Sequence, residues 1–494
     1  MIISYTLNIN CYNTNLNTVN VTGCTNLNEF RAYNMPNLKN LDVNTCKSLK
    51  LLIVNDNTGL EKLYACELPN LTSLNVSGCT ALKDLRCYGS TNLATLTLIT
   101  ASESTPNTVM TYLSCRNTKI TGVLDLKYYT ALKELYCSAT GLSEINLTGC
   151  ENLESLGVRD NSSLKKLYAY EMPKLTGLNV SGCTALEDLR CHGNTAMTSL
   201  TLIPATESNP NTTMTYLTCR DTAISGTLNV SYYTALETLN CYSTNLQTVN
   251  VTGCTDLKEL KAHNLPNMTS LNVNSCEKLE LLWIHENPGL QEMTITGLNK
   301  LASLDVRNCA ALKKLAAYGL ENLTGLNVTG CTSLQDLRCH ENPNMTSLTL
   351  PAASSSTPNT VMTYLSCRDT AITGTLDISY YTALATFNGY NNNLSTLIVT
   401  GCNALTGLRV SGMTNLKTLE ASQMNSLTSL DVSDCTALQQ LQCTNNPAMT
   451  TLKLSVASAA APNNVMTDLS CQDSGISGTL NVSYYKALKN LECG

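Results

Sequence analysis

One short period runs through the chain and constrains everything else. Leu71–Leu98 reads LTSLNVSGCTALKDLRCYGSTNLATLTL, and Leu71, Leu82 and Leu93 each open an eleven-residue L-x-x-L-x-Φ unit, with Φ being Val76, Cys87 and Leu98. Spacing of two between the second Leu and Φ puts Leu74 and Val76 on one face of a strand, with Asn75 and Ser77 outward. Only five residues separate a Φ residue from the Leu that opens the next unit, which leaves no room for a helix between strands. A chain of 494 residues would ordinarily suggest about three domains at roughly 150 residues each. A period that runs end to end removes that expectation, because a stack of like repeats is one domain of any length.

Taken in order, Φ falls at Cys11, Val21, Ala32, Val43, Val54, Ala65, Val76, Cys87 and Leu98, almost all eleven apart, and a step of seventeen then reaches Cys115. Four such long steps occur, reading TPNTVMTYLSCR (Thr105–Arg116), NPNTTMTYLTCR (Asn209–Arg220), TPNTVMTYLSCR (Thr357–Arg368) and APNNVMTDLSCQ (Ala461–Gln472). A YYTAL or YYKAL segment follows each, at Tyr128, Tyr232, Tyr380 and Tyr484. Their anchors Cys115, Cys219, Cys367 and Cys471 lie 104, 148 and 104 residues apart, and the excess of 44 equals two 22-residue repeats. The chain therefore reads as one solenoid of four internal modules, 11–136, 137–240, 241–388 and 389–494. The six extra residues of each long step, with Pro, Ser and Thr, predict a bulged loop on one edge.

Two unit types alternate. One has Val or Leu at Φ, usually with Cys three residues later (LNVSGC, LDVNTC, INLTGC), and the other has Cys or Ala at Φ, often followed by Asn (LRCHGN, LRCHEN, LQCTNN). The L-x-x-L-x-L-x-x-N/C-x-L signature resembles that of leucine-rich repeats, and the 21–22-residue coil carrying L-x-x-L-x-C is similar to internalin-J-like bacterial repeats with a cysteine ladder. The resemblance covers Leu7 to Cys493. It implies a leucine-rich-repeat fold and an extracellular binding or adhesion role on a bacterial surface. The departures are that many coils are 22 residues long and that no capping segment, signal peptide or wall-anchoring tail is recognised.

The expected fold is all-β: a leucine-rich-repeat β-solenoid of about 21 coils of 21–22 residues, with two short parallel strands per coil and no helices. There are 24 Cys, but they fall at repeat positions with no C-x-x-C pair and no zinc-ligand spacing, so buried, inert free thiols are expected rather than a disulfide framework, a metal ladder or a redox ladder. With 22 Tyr but only two Phe and one Trp, aliphatic side chains are expected to fill the interior and Tyr to lie at the surface. Each module holds an odd number of units, the odd one falling near Val54, Val158, Ile284 and Val410. If each coil takes two units, either the Cys-type strands change sides once per module or the long loop absorbs a half-turn.

The net charge of −6 gives no basic footprint for nucleic acid, and no apolar run approaches membrane-spanning length. No G-x-S-x-G, H-E-x-x-H or glycine-rich phosphate loop occurs, so neither an enzyme nor a cofactor is expected. The N-x-S/T sequons, such as those at Asn20, Asn75, Asn179 and Asn250, arise because the Val-type strand spells N-V-T or N-V-S, and read as turn chemistry rather than glycosylation.

The residues flanking Φ differ between the two types. Beside Val-type positions they are small, as with Asn20/Thr22 and Asn179/Ser181; beside Cys- or Ala-type positions they are large and polar-aromatic. The candidate ligand-binding residues are Arg31, Tyr33, Arg86, Tyr88, Arg116, Tyr136, Tyr168, Tyr170, Arg190, His192, Arg220, Tyr242, His263, Trp283, His285, Arg338, His340 and Arg368. These residue types dominate binding hot spots, which points to a surface for a protein or glycan on a host or neighbouring cell. The plainer reading is that Tyr, a good strand former, stacks on itself from coil to coil. All four His follow a Φ residue but lie on distant coils, which argues against a shared metal site. The alternative function is a structural subunit associating head to tail into a surface fibre, since Cys493 is in register with the ladder that begins at Cys11.

Overall fold

The computed structural model describes residues 7–494. Every helix or strand among them is a strand, 41 in all and mostly three residues long. From Leu27–Arg31 to Asp468–Ser470 consecutive strands alternate between two sides, pairing in parallel with the strand two on except where a sheet breaks, so each coil holds two, in about 22 turns. The 22-residue step is visible as register: Lys62, Leu63 and Tyr64 face Asp84, Leu85 and Arg86 one coil on. The chain divides into two compact units, the first running to Gly226 and including Val230–Asn245, the second comprising Thr227–Asn229 and Leu246–Gly494.

In the first unit, one sheet runs Asn40–Asp42, Lys62–Tyr64, Asp84–Arg86, Tyr112–Ser114, Glu134–Tyr136 and Ser155–Gly157. The other begins with Leu7–Asn10 and reaches Thr95–Thr97, breaks at the first long loop, and resumes at Thr121–Asp125. In the second unit the same break separates Ser347–Thr349 from Thr373–Asp377. The extra loop residues displace one strand position, so the ladder cannot continue across them.

The repeating leucines have no other place to go. Leu71, Leu74, Leu82 and Leu85 are all buried, each burial gaining on the order of 1.5–3 kcal/mol. The interior is not wholly aliphatic, which corrects the expectation from composition. Phe30 and Phe387 are fully buried, and so are Tyr129, Tyr233 and Tyr381. Each of these tyrosines donates its hydroxyl to a carbonyl at the start of the preceding long loop, namely Ile99, Ile203 and Pro351, and Tyr485 does the same to Ser455 at 2.6 Å. A tyrosine can sit in this core because the loop brings it a carbonyl.

The residue three after Φ fills one recurring slot. Cys79 Sγ approaches the Val54 carbonyl one coil back at 3.1 Å. In the other unit type Asn194 takes that place, donating to the Ala169 carbonyl at 2.7 Å and the Cys191 carbonyl at 3.0 Å while accepting from the Met172 amide at 2.7 Å. Asn57, Asn161, Asn287, Asn342 and Asn446 are likewise fully buried. The residue two after Φ adopts left-handed backbone in most units, as Gly78 (φ 74°), Asp56 (φ 59°) and Asn117 (φ 55°) illustrate. The sequons act as turn residues: Asn75 Oδ1 accepts from the Ser77 amide and Asn179 Oδ1 from the Ser181 amide, both at 2.9 Å.

All 24 cysteines are free thiols, and Cys493 alone is exposed. Burial pushes the Cys115, Cys219 and Cys367 thiols up to about 12, and raises Cys87, Cys137 and Cys191 well above the usual thiol range. Thiols buried in this way remain protonated where unfolded ones ionise, so the unfolded state binds fewer protons once pH passes its own thiol values. Stability should therefore be fully retained below about pH 8.5 and fall as pH rises from there toward 12. The urea midpoint measured between pH 7 and 11 checks this, and a flat profile would contradict it. At pH 8 a thiol reagent should label Cys493 fast and the buried thiols only on denaturation.

Candidate functional site

The Cys- and Ala-type strands change sides. In the first unit the Ala32 strand, Leu27–Arg31, is followed in its sheet by the Val54 strand, Leu51–Ile53, while the Ala65, Cys87, Cys115 and Cys137 strands occupy the opposite sheet. That run ends at the Val158 strand, and Ala169, Cys191, Cys219 and Cys241 continue in the other sheet. In the second unit the Ala317, Cys339, Cys367 and Gly389 strands give way at Val410, and Ala421, Cys443, Cys471 and Cys493 follow in the opposite sheet. Each switch falls at the odd unit of its module. Two units fill a coil, so an odd count must invert the phase.

The candidate residues consequently form separate rows. Arg86, Tyr88, Arg116 and Tyr136 share one sheet of the first unit, whereas Arg31 and Tyr33, and then Tyr168, Tyr170, Arg190, His192, Arg220 and Tyr242, belong to the other. In the second unit, His263, Trp283 and His285 lie on the sheet of Glu259–Lys261, Leu281–Trp283 and Ser303–Asp305, and Arg338, His340 and Arg368 on that of Lys314–Tyr318, Asp336–Arg338 and Tyr364–Ser366.

Within each row the side chains pack on one another. Arg86 lies between the rings of Tyr64 and Tyr112, at 5.1 and 4.4 Å, and forks onto Asp84 with two bonds of 2.9 Å. Arg190 repeats this between Tyr168 and Tyr216, at 5.1 and 5.0 Å, and Arg338 lies 5.0 Å from Tyr364. Cation–π contacts at such half-exposed sites contribute about 0.5–1 kcal/mol each. The Asp carboxylates two residues before hold Arg190 and Arg338 above the ordinary guanidinium range. Tyr170 stacks on His192 at 4.7 Å and Tyr318 packs at a tilt against His340 at 4.5 Å. His263 stacks on His285 at 4.2 Å, which corrects the expectation that all four histidines lie on distant coils: these two are 22 residues apart and so sit on adjacent ones. Burial, and then the Arg220 and Arg368 charges, hold His192 and His340 below the ordinary imidazole value. His285 Nδ1 is 3.3 Å from Asp305.

The rings of Tyr112 and Tyr216, absent from the sequence candidates, complete the two sandwiches, and that of Tyr364, also absent from them, packs against Arg338. Their signal was the recurring TYLS/TYLT, whose Tyr stands beside Asp84, Asp188 and Asp336 once the strands pair. The fourth module differs from the others in these rows. Where the second module holds Tyr168 and Arg190 it has Glu420 and Gln442, and a cavity of about 270 Å³ opens there, lined also by Gln440, Asp468 and Glu492.

Leucines at most repeat positions, a strand on nearly every unit and thiols aligned from coil to coil decide the architecture. The fold is a leucine-rich-repeat β-solenoid. Among solved structures, the solenoid is similar to the functional domain of InlJ from Listeria monocytogenes, which includes a cysteine ladder, at 20% identity over 86% of this chain and 75% of that one, with a TM-score of 0.26. It is also similar to the plant peptide hormone receptor RGFR1 in complex with RGF2 (18% identity, 99% and 96% coverage, TM-score 0.23). A third likeness is to YopM from Yersinia enterocolitica (18% identity, 91% and 89% coverage, TM-score 0.19). No family model and no curated protein matches the chain.

Proposed function

We propose that this solenoid is a non-catalytic binding protein, working outside the cell or at its surface, that presents its aromatic–cationic rows to a protein partner. The carrying observation is that the rows recur at equivalent positions, Arg86 with Tyr64 and Tyr112, Arg190 with Tyr168 and Tyr216, and Arg338 with Tyr364, always beside Cys- or Ala-type Φ residues. The mutual packing pre-orders these side chains, which lowers the entropy lost when a partner covers them. Val-type strands mostly carry short outward residues, and the Asn75 and Asn179 side-chain oxygens are taken up in their own turns.

The reading is tested by adhesion of the purified chain to cell surfaces and immobilised glycoproteins. The double variant Tyr170→Ser/His192→Ser is expected to weaken saturable binding by at least about tenfold, as loss of a hot-spot pair would. Circular dichroism should show the fold retained. Undiminished binding by this variant and by Tyr318→Ser/His340→Ser would overturn the proposal.

A further inference from the structure

The first three modules place an arginine directly after the Cys that follows the long loop: Arg116, Arg220 and Arg368. In the second and third modules the next residue is an aspartate whose carboxylate closes on the guanidinium, pairing Arg220 with Asp221 and Arg368 with Asp369. Arg368 also meets Glu341 at 2.6 Å. One coil on, the rings of Tyr242 and Tyr390 lie 5.5 and 5.6 Å from these guanidiniums. Both arginines are half-buried in consequence.

The first module departs at each of these places. Residue 117 is Asn rather than Asp, residue 138 is Ser where Tyr242 and Tyr390 stand, and Gly157 replaces the long side chains Lys261 and Arg409. Arg116 is therefore exposed, its guanidinium 5.0 Å from the Tyr88 ring, and it forms no ion pair among the described residues. Beside it is a cavity of about 280 Å³ lined by Arg116, Asn117, Tyr136, Ser138, Gly157 and Arg159. Asp160 also lines it, and lies 3.5 Å from Arg159. A Cβ at residue 157 would come to 3.0 Å from the Tyr136 ring, tighter than ordinary contact, so a side chain there would crowd that wall of the notch. The Tyr136 hydroxyl bonds Glu134 at 3.0 Å, which fixes the ring forming one wall.

We propose that this notch binds the carboxylate of an Asp or Glu side chain from a partner polypeptide. The partner supplies in trans the group that Asp221 and Asp369 supply in cis. A guanidinium presents a planar fork that matches a carboxylate with two parallel bonds, and the Asn117 amide and Ser138 hydroxyl offer further donors nearby. The chain is acidic overall, so an exposed arginine without its own carboxylate is a local departure from its surroundings. The inference rests on the binding-scaffold reading and narrows it, for the first module, to an acidic segment of polypeptide.

The test titrates the full chain at low salt with a fluorescent tetra-aspartate peptide, a tetra-asparagine peptide of equal length, and glucuronic acid. Saturable binding of tetra-aspartate is expected, with tetra-asparagine at least about tenfold weaker and Arg116→Gln losing about tenfold or more. Asn117→Asp should abolish binding by rebuilding the pair of the other modules. The fold should tolerate it, since Asp221 and Asp369 hold the same backbone at φ 55° and 54° against 55° for Asn117. The proposal fails if Asn117→Asp or Arg116→Gln binds as the parent does, if the parent does not bind the peptide, or if glucuronic acid binds in preference to it. Any of these results leaves the scaffold reading intact provided that Tyr170→Ser/His192→Ser still weakens adhesion as expected above.

Discussion

Asn194→Ala is expected to destabilise the first unit by about 3 kcal/mol or more, because it leaves three buried backbone groups without partners at about 1–3 kcal/mol each. The groups are the Met172 amide and the Ala169 and Cys191 carbonyls, all satisfied by one amide side chain that is fully buried. Asn194→Asp should be no better, since a carboxylate keeps the acceptor but loses both donations and brings a charge into the interior. The control is Asn179→Ala, an exposed turn residue whose loss should stay within about 0.5 kcal/mol. Urea unfolding measures the difference. Hydrogen exchange should locate it at the coils around Asn194, since repeats contact only their neighbours and cooperativity is local. Equal effects at Asn194 and Asn179 would show that the buried ladder is not what ties the coils.

The second large effect is expected at the loop anchors. Tyr381→Ala removes a fully buried ring and should cost about 3–5 kcal/mol. Tyr381→Phe keeps the ring and loses only the hydrogen bond to the Pro351 carbonyl, so about 1–3 kcal/mol is expected from the orphaned acceptor. The two variants separate packing from loop attachment. Tyr381→Phe should expose the 352–358 loop to proteolysis while leaving most of the thermal transition in place. Protection of that loop equal to the parent's would mean that the Asn359 turn, whose Oδ1 accepts from the Val361 and Met362 amides at 3.0 Å each, holds it without the tyrosine.

Much of the fold was legible because the period is short and strict. Leu74 and Val76 two residues apart, with five residues to the next Leu, permit a strand and exclude a helix, and the parallel register of Lys62–Tyr64 on Asp84–Arg86 is the 22-residue step itself. The burial of Tyr129, Tyr233 and Tyr381 was not legible. YYTAL alone does not say that a loop thirty residues earlier in the chain returns a carbonyl to the second tyrosine. Composition spoke for a surface role, and a single long-range hydrogen bond reversed it.

The site was half legible in the same sense. Arg86, Tyr88 and His192 stood out as large polar residues beside small Φ residues, but their distribution between two sheets depends on counting phase through a whole module. The place of Tyr112 was not legible because its partner, Arg86, lies 26 positions earlier, across a long loop. The opening beside Arg116 also required the structure: Asn117, Ser138 and Gly157 are unremarkable until three successive coils bring them to one place.

What the sequence by itself determined is the coil. Leucine spacing fixes which side chains face inward, and the identity of the residue three after Φ fixes what bonds the carbonyl one coil back. Only the tertiary structure decided which side of the solenoid each row faces and which arginines are closed by their own aspartates. The physical reason is that a repeat specifies its neighbours through contacts 22 residues away, whereas facing and pairing accumulate over every unit before them.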